Sequence, residues 1–125
     1  MAVKILYVED NKMNFLLVKK ILSVYDVDLL HAEDGETAVE VAEEKKPDLV
    51  LMDLHLPGVD GFQVADSIRT REGLAEVPIL ALTASVMQRD RDAARRAGFE
   101  GYIEKPLDVK LLCSEIERVL GIDLR

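Results

Sequence analysis

The sequence has no tryptophan, one cysteine, two histidines and few aromatic residues of any kind. One cysteine cannot close an internal disulfide, so the fold rests on packing alone. Cys113 falls within an apolar-patterned helix and reads as a buried, inert thiol. With His31 and His55 on different segments, there is no His/Cys cluster to hold zinc or another soft metal. No apolar run approaches the roughly 20 residues needed to span a bilayer, and the first residues (Met1, Ala2, Val3, Lys4) lack the apolar stretch of a secretory leader. Basic residues are also short: 16 Lys and Arg stand against 24 Asp and Glu, a net charge of −8. Such a balance disfavours direct nucleic-acid binding, because phosphates would be repelled. The expectation is therefore a cytoplasmic protein with no membrane and no nucleic-acid partner.

What is present is enough for one packed domain. The chain has 125 residues, 49% of them apolar, with no linker, repeat or low-complexity segment. Short apolar runs alternate with helical patterns. Strands are expected at Val3–Val8, near Asp28–Ala32, at Asp48–Met52, Val77–Leu82 and Gly101–Glu104. Helices are expected at Asn11–Tyr25, Asp34–Lys46, Asp60–Glu72, Val86–Ala97 and Asp108–Leu120. Asp34 and Asp60 stand as N-caps, while Gly98 and Gly121 stand just past helix ends. The third and fourth strands are apolar at nearly every position, as in a strand covered by helices on both faces. Five βα units in succession predict an α/β fold with a parallel sheet. Ligands of such sheets bind outside the carboxyl ends of the strands.

Those ends carry the chemistry. Glu9 and Asp10 follow the first strand and Asp53 the third. Thr83, Ala84 and Ser85 follow the fourth, and Lys105-Pro106 the fifth. Each has an ordinary explanation alone: Asp10 as a helix cap, Asp53 turning the chain into Leu56-Pro57-Gly58, Lys105 as a solvated lysine. Five such residues on one rim are not explained that way. Clustered carboxylates repel one another unless a cation lies among them, and an oxygen-only donor set favours Mg²⁺. The first βα loop, Glu9-Asp10-Asn11-Lys12, is acidic rather than glycine-rich. There is no P-loop, no G-x-G-x-x-G and no G-x-S-x-G, which argues against nucleotide sites and serine hydrolases.

V-E-D-N at Val8–Asn11, P-D-L-V-L-M-D at Pro47–Asp53, L-P-G-V-D-G at Leu56–Gly61, L-T-A at Leu82–Ala84 and K-P at Lys105–Pro106 occur in this order on five βα units. In this the chain resembles, along essentially all its length, the receiver domain of bacterial two-component response regulators. The E-D-N-x-x-N run from Glu9 to Asn14 is similar to phosphorelay receivers and to stand-alone regulators of the cell-division type. The resemblance implies a flavodoxin-like (βα)5 sheet of order 2-1-3-4-5 and a single receiver domain over residues 1–125 with no output domain. It implies Asp53 as phosphoacceptor, Glu9, Asp10, Asp53 and the His55 carbonyl around Mg²⁺, and Lys105 against the phosphoryl group. Thr83 would be the switch hydroxyl and Tyr102 the switch aromatic, with a cis bond at Lys105–Pro106. The chain would not be an enzyme in the ordinary sense; it would promote only its own aspartyl phosphorylation and dephosphorylation. His55 and Ser85 are expected to tune the lifetime of the product.

The first helix has more apolar residues than one buried stripe needs. At about 100° per residue, Leu17, Val18, Ile21, Leu22 and Tyr25 share a face, Leu16 points away, and Met13 and Phe15 lie on the shoulders. Met13, Phe15 and Leu16 are thus candidates for docking a histidine kinase or histidine phosphotransfer protein. Output would go to a downstream protein, through the fourth helix, fifth strand and fifth helix. The protein is expected to be a monomer, with dimerisation on phosphorylation left open. Two other functions compete: a phosphorylation-independent receiver-like adaptor, and a Mg²⁺ phosphohydrolase with an aspartyl nucleophile. The first expects some of Glu9, Asp10, Asp53, Thr83 and Lys105 to be missing. The haloacid-dehalogenase type of the second needs an acid where His55 stands.

Overall fold

A computed structural model describes residues 2–54, 60–84, 88–105 and 107–124. Strands and helices alternate: β1 (Val3–Val8), α1 (Lys12–Leu22), β2 (Val27–Ala32), α2 (Gly35–Lys45), β3 (Leu49–Asp53), α3 (Gly61–Arg69), β4 (Ile79–Thr83), α4 (Gln88–Arg96), β5 (Gly101–Glu104) and α5 (Val109–Leu120). All pairings are parallel and the strand order is β2-β1-β3-β4-β5. This is the flavodoxin-like arrangement, with the order reversing between β1 and β3.

Strand alternation sorts the core into two layers. Leu6, Val8, Val50, Met52, Ile79 and Ala81 face α2, α3 and the single buried residue of α4, Ala94. Ile5, Tyr7, Leu49, Leu51, Leu80 and Leu82 face α1 and α5, where Cys113 is buried as expected. β3 and β4 are buried at every position, which accounts for their unbroken apolar sequence.

Several boundaries differ from the sequence reading, each for a local reason. α1 stops at Leu22 rather than Tyr25. The Ser23 hydroxyl and N–H both donate to the Lys20 carbonyl, and Tyr25 N–H donates to Leu22, tightening the last turn. α3 stops at Arg69 rather than Glu72, because the Thr70 hydroxyl and N–H take up the Ser67 carbonyl in the same way. β4 starts after Pro78, which has no N–H to give the ladder. The expected caps hold: Asp34 accepts from Thr37 N–H at 2.8 Å and Asp60 from Phe62 N–H at 2.9 Å. Asn11, not Asp10, caps α1, accepting from Met13 and Asn14. Of α4, residues 86 and 87 lie outside the described residues, as do His55, Ser85 and Pro106.

Candidate functional site

Backbone hydrogen bonds carry the sheet one step past its formal ends. Glu9 N–H donates to Ala32 O at 2.9 Å, Leu54 N–H to Leu82 O at 3.1 Å, and Lys105 N–H to Thr83 O at 2.7 Å. Glu9, Asp53, Thr83 and Lys105 are thereby held at one level of the rim. Tyr7, Glu9, Asp53 and Lys105 also share one alternation phase, that of the α1–α5 face, so their side chains converge.

The convergence is close. Lys105 Nζ donates to Asp53 Oδ2 at 2.6 Å and to Glu9 Oε2 at 3.0 Å. The Tyr7 hydroxyl donates to the same Glu9 oxygen at 3.0 Å, and Asn11 N–H reaches Glu9 Oε1 at 3.2 Å. Glu9 and Asp53 are only 1% and 4% exposed. Two carboxylates are thus buried side by side with one ammonium between them, an arrangement stable only with the charge compensated.

The titration directions follow. Burial would raise the Glu9 carboxyl, but hydrogen bonding with Asp53, Lys105 and Asn11, and the ammonium charge, hold it well below the usual carboxylate range. Burial would lower Lys105, but Asp53 and Glu9 outweigh it and raise the ammonium. Tyr7 is pushed up by burial and then by the negative Glu9, so its phenol stays a proton donor.

Tyr7 is the member that sequence reasoning missed. The available signal was its position two residues before Glu9, on the same face of one strand. His31 is structural: its Nε2 lies 2.8 Å from Glu9 O, and facing a carbonyl it carries the hydrogen. Its ring stacks on Phe15 with centroids 3.9 Å apart, and Phe15 stacks in turn on Tyr7 at 6.2 Å. Phe15 is therefore half-buried and committed to this stack, whereas Met13 and Leu16 are 74% and 53% exposed. Leu17, expected inward, is half-exposed. It lines a cavity of about 140 Å³ with Tyr7, Asn14, Lys105 and Leu107, immediately beside the carboxylates.

Asp10 is exposed, and among the described residues no three His, Cys, Asp or Glu side chains stand close enough together to enclose a cation. The side-by-side pair is Glu9 and Asp53, and its donors are hard oxygens only, a chemistry that fits Mg²⁺. Thr83 is buried but has the opposite alternation phase, on the face covered by α2, α3 and α4. Tyr102, half-buried, belongs to that same face, with the Arg91 guanidinium 5.4 Å from its ring centroid.

The receiver domain of response regulators matches residues 5–117 as a family model. The polar-differentiation response regulator DivK of Brucella ovis is 34% identical over 121 residues, covering 97% of this chain and 98% of its own length. The receiver domain of the sensor histidine kinase PA1611 of Pseudomonas aeruginosa, solved with a magnesium ion in its active-site cleft, is 35% identical. That match covers 98% of this chain and 100% of that one at a TM-score of 0.86. The Vibrio cholerae chemotaxis protein CheY4 is 25% identical with a TM-score of 0.90, over 96% of this chain and 100% of that one. Together with the paired carboxylates and lysine at the strand ends, these matches establish that the chain belongs to the response-regulator receiver family of two-component signalling.

Proposed function

We propose that this chain is a phosphorylation-dependent signalling switch that accepts a phosphoryl group on Asp53 from the phosphohistidine of a histidine kinase or phosphotransfer protein. The observation that supports it best is the pair of buried carboxylates, Glu9 and Asp53, joined by Lys105 Nζ. An Asp53 oxygen attacks phosphorus, the N–P bond breaks, the imidazole nitrogen takes up a proton, and an acyl phosphate forms. Lys105, already 2.6 Å from Asp53, moves its hydrogen bond from carboxylate to phosphoryl oxygen and offsets the charge that gathers there. Glu9, Asp10, Asp53 and the His55 carbonyl would hold Mg²⁺, which when bound neutralises phosphoryl charge. Tyr7 and Asn11 keep the Glu9 carboxylate oriented for that role. The exposed Met13 and Leu16, and the cavity lined by Leu17 and Lys105, offer the donor protein an apolar seat beside Asp53. The Thr83 hydroxyl donates to a phosphoryl oxygen, and the face it shares with Tyr102 reports the change to a downstream protein.

No helix among the described residues is long and apolar enough to cross a membrane. The deciding experiment is incubation with acetyl phosphate and Mg²⁺, read by intact mass. Wild type should gain one phosphoryl group only when Mg²⁺ is present, and Asp53→Asn none. An unmodified wild type would instead favour the phosphorylation-independent adaptor.

A further inference from the structure

Among the described residues, α4 is tied to the rest of the molecule by two arginine contacts of unlike strength. The first is at its C-terminal end. Arg69 Nη1 donates to Ala97 O at 3.2 Å, and Nη2 reaches Gly98 O at 3.0 Å, Val77 O at 3.1 Å and Glu100 Oε1 at 3.1 Å. Gly98 has φ +83°, and a Cβ there would lie 2.9 Å from Arg69 Nη1, so the clamp needs glycine on both counts. The Arg69 side chain is 19% exposed, and a clamp this buried and many-sided is not readily released.

The second point is the opposite. Arg91 places its guanidinium over the Tyr102 ring, 5.4 Å from the centroid, and pairs with Glu104. Both partners are on β5 two residues apart, hence on one face of the strand. Arg91 and Glu104 are 43% and 37% exposed. Only Ala94 of α4 is buried, so little apolar contact backs this tie up. A cavity of about 230 Å³, lined by Arg91, Ala94, Phe99 and Tyr102 among others, lies between α4 and β5.

We propose that Arg91 is the latch of the switch: its stacking on Tyr102 and pairing with Glu104 hold the resting arrangement of α4 on β5, which opens about the Arg69 clamp. The proposal rests on the reading of Thr83 and Tyr102 as the groups that respond to the phosphoryl group. In register, Tyr102 lies opposite Ala81, whose small side chain leaves room on the way to Thr83 two residues further along β4. A ring that moves toward Thr83 must leave the guanidinium. Exposed cation–π and ion-pair contacts are each weak, and together they bias such an equilibrium about fivefold. A ligand that selects the released state then binds more tightly by the same factor once the latch is removed.

The test titrates beryllofluoride, in excess Mg²⁺, into wild type, R91M and R91K, following the β5 amide resonances. R91M keeps the packing stem without the charge, whereas R91K keeps a cation that can still pair with Glu104 but gives up the planar stack on the ring. R91M is expected to half-saturate at about fivefold lower beryllofluoride and to unfold at a urea concentration lower by about 0.5 M, with R91K between R91M and wild type on both readouts. In a double variant, E104Q should add little to R91M, since its partner is already gone. If R91M stays within about twofold of a responsive wild type, or R91K shifts as far as R91M, the latch is refuted while the phosphoacceptor reading stands. A wild type that ignores beryllofluoride would overturn both.

Discussion

Lys105→Met isolates what the lysine does before any phosphoryl group arrives. Methionine keeps most of the apolar stem but removes the ammonium 2.6 Å from Asp53 and 3.0 Å from Glu9. Glu9 and Asp53 then remain buried, at 1% and 4% exposure, without their cation. Removing one partner of a buried ion pair costs about 3–5 kcal/mol, and the 22% exposure of the lysine side chain places this case at the lower end, about 3 kcal/mol. With a urea slope of about 2 kcal/mol per molar, the unfolding midpoint in metal-free buffer at pH 7 should fall by roughly 1.5 M. The chain has no tryptophan, so far-UV circular dichroism is the practical probe. Mg²⁺ at about a hundred times its Kd should restore roughly 2.7 kcal/mol. The pH dependence has a defined sign. Glu9 is lowered from 4.5 to about 2 on folding, so in wild type its contribution is present above the first value and is lost as pH falls toward the second. In the variant the two carboxylates repel and raise one another, so protonating one relieves the native state already above that window, and the gap to wild type should begin to narrow there and go on narrowing through it. Equal midpoints for the two proteins at pH 7 without metal would refute the assignment of Lys105 as the site's resident cation.

Tyr7→Phe keeps the buried ring but deletes the donor to Glu9 Oε2, and should cost about 1.5–2 kcal/mol in the same urea assay. Leu16→Ser should slow phosphotransfer from a phosphorylated partner protein while leaving labelling by acetyl phosphate unchanged, because Leu16 is half-exposed on α1 and absent from the carboxylate cluster. Gly98→Ala meets both a left-handed φ of +83° and the Arg69 guanidinium, and should lower thermal stability by more than about 1 kcal/mol. Surface alanine substitutions on α4 should not have this effect.

The layout was legible because β3 and β4 are apolar at every position and helical patterns separate all five strands. Periodicity reports burial, and in this fold burial is set by the sheet. Helix ends were less legible, since Ser23 and Thr70 end α1 and α3 through single side-chain bonds to the preceding turn. The acids and the lysine at the strand ends were visible as polar residues after apolar runs. Tyr7 was not, because within a buried strand a tyrosine looks like any apolar residue until its hydroxyl is given a partner. Phe15 shows the converse. A helical wheel puts it on a shoulder of α1, but it cannot show that His31, from β2, lies against the ring. Long-range pairs of this kind, like the reach of Arg69 to Gly98, depend on where two elements meet.

Under the proposed function, the sheet's alternation also separates the chemistry from its readout. Tyr7, Glu9, Asp53 and Lys105 have the phase of the α1–α5 face, while Thr83 and Tyr102 have that of the α2–α4 face. Asp53 pairs in register with Leu82, and Thr83 is the next residue along β4. A signal that starts on Asp53, as proposed, would therefore have to change faces, and the shortest route is around the strand ends. A phosphoryl group on Asp53 would extend past the strand end, where an acceptor oxygen could meet the Thr83 hydroxyl. The face proposed to receive the signal is also the one where α4, among the described residues, buries only Ala94 and leans on an exposed arginine and a clamp at its far end. That division would let the proposed acceptor site stay rigid, fixed by Tyr7 and the His31–Phe15 stack, while the response is confined to the helix with a single buried residue.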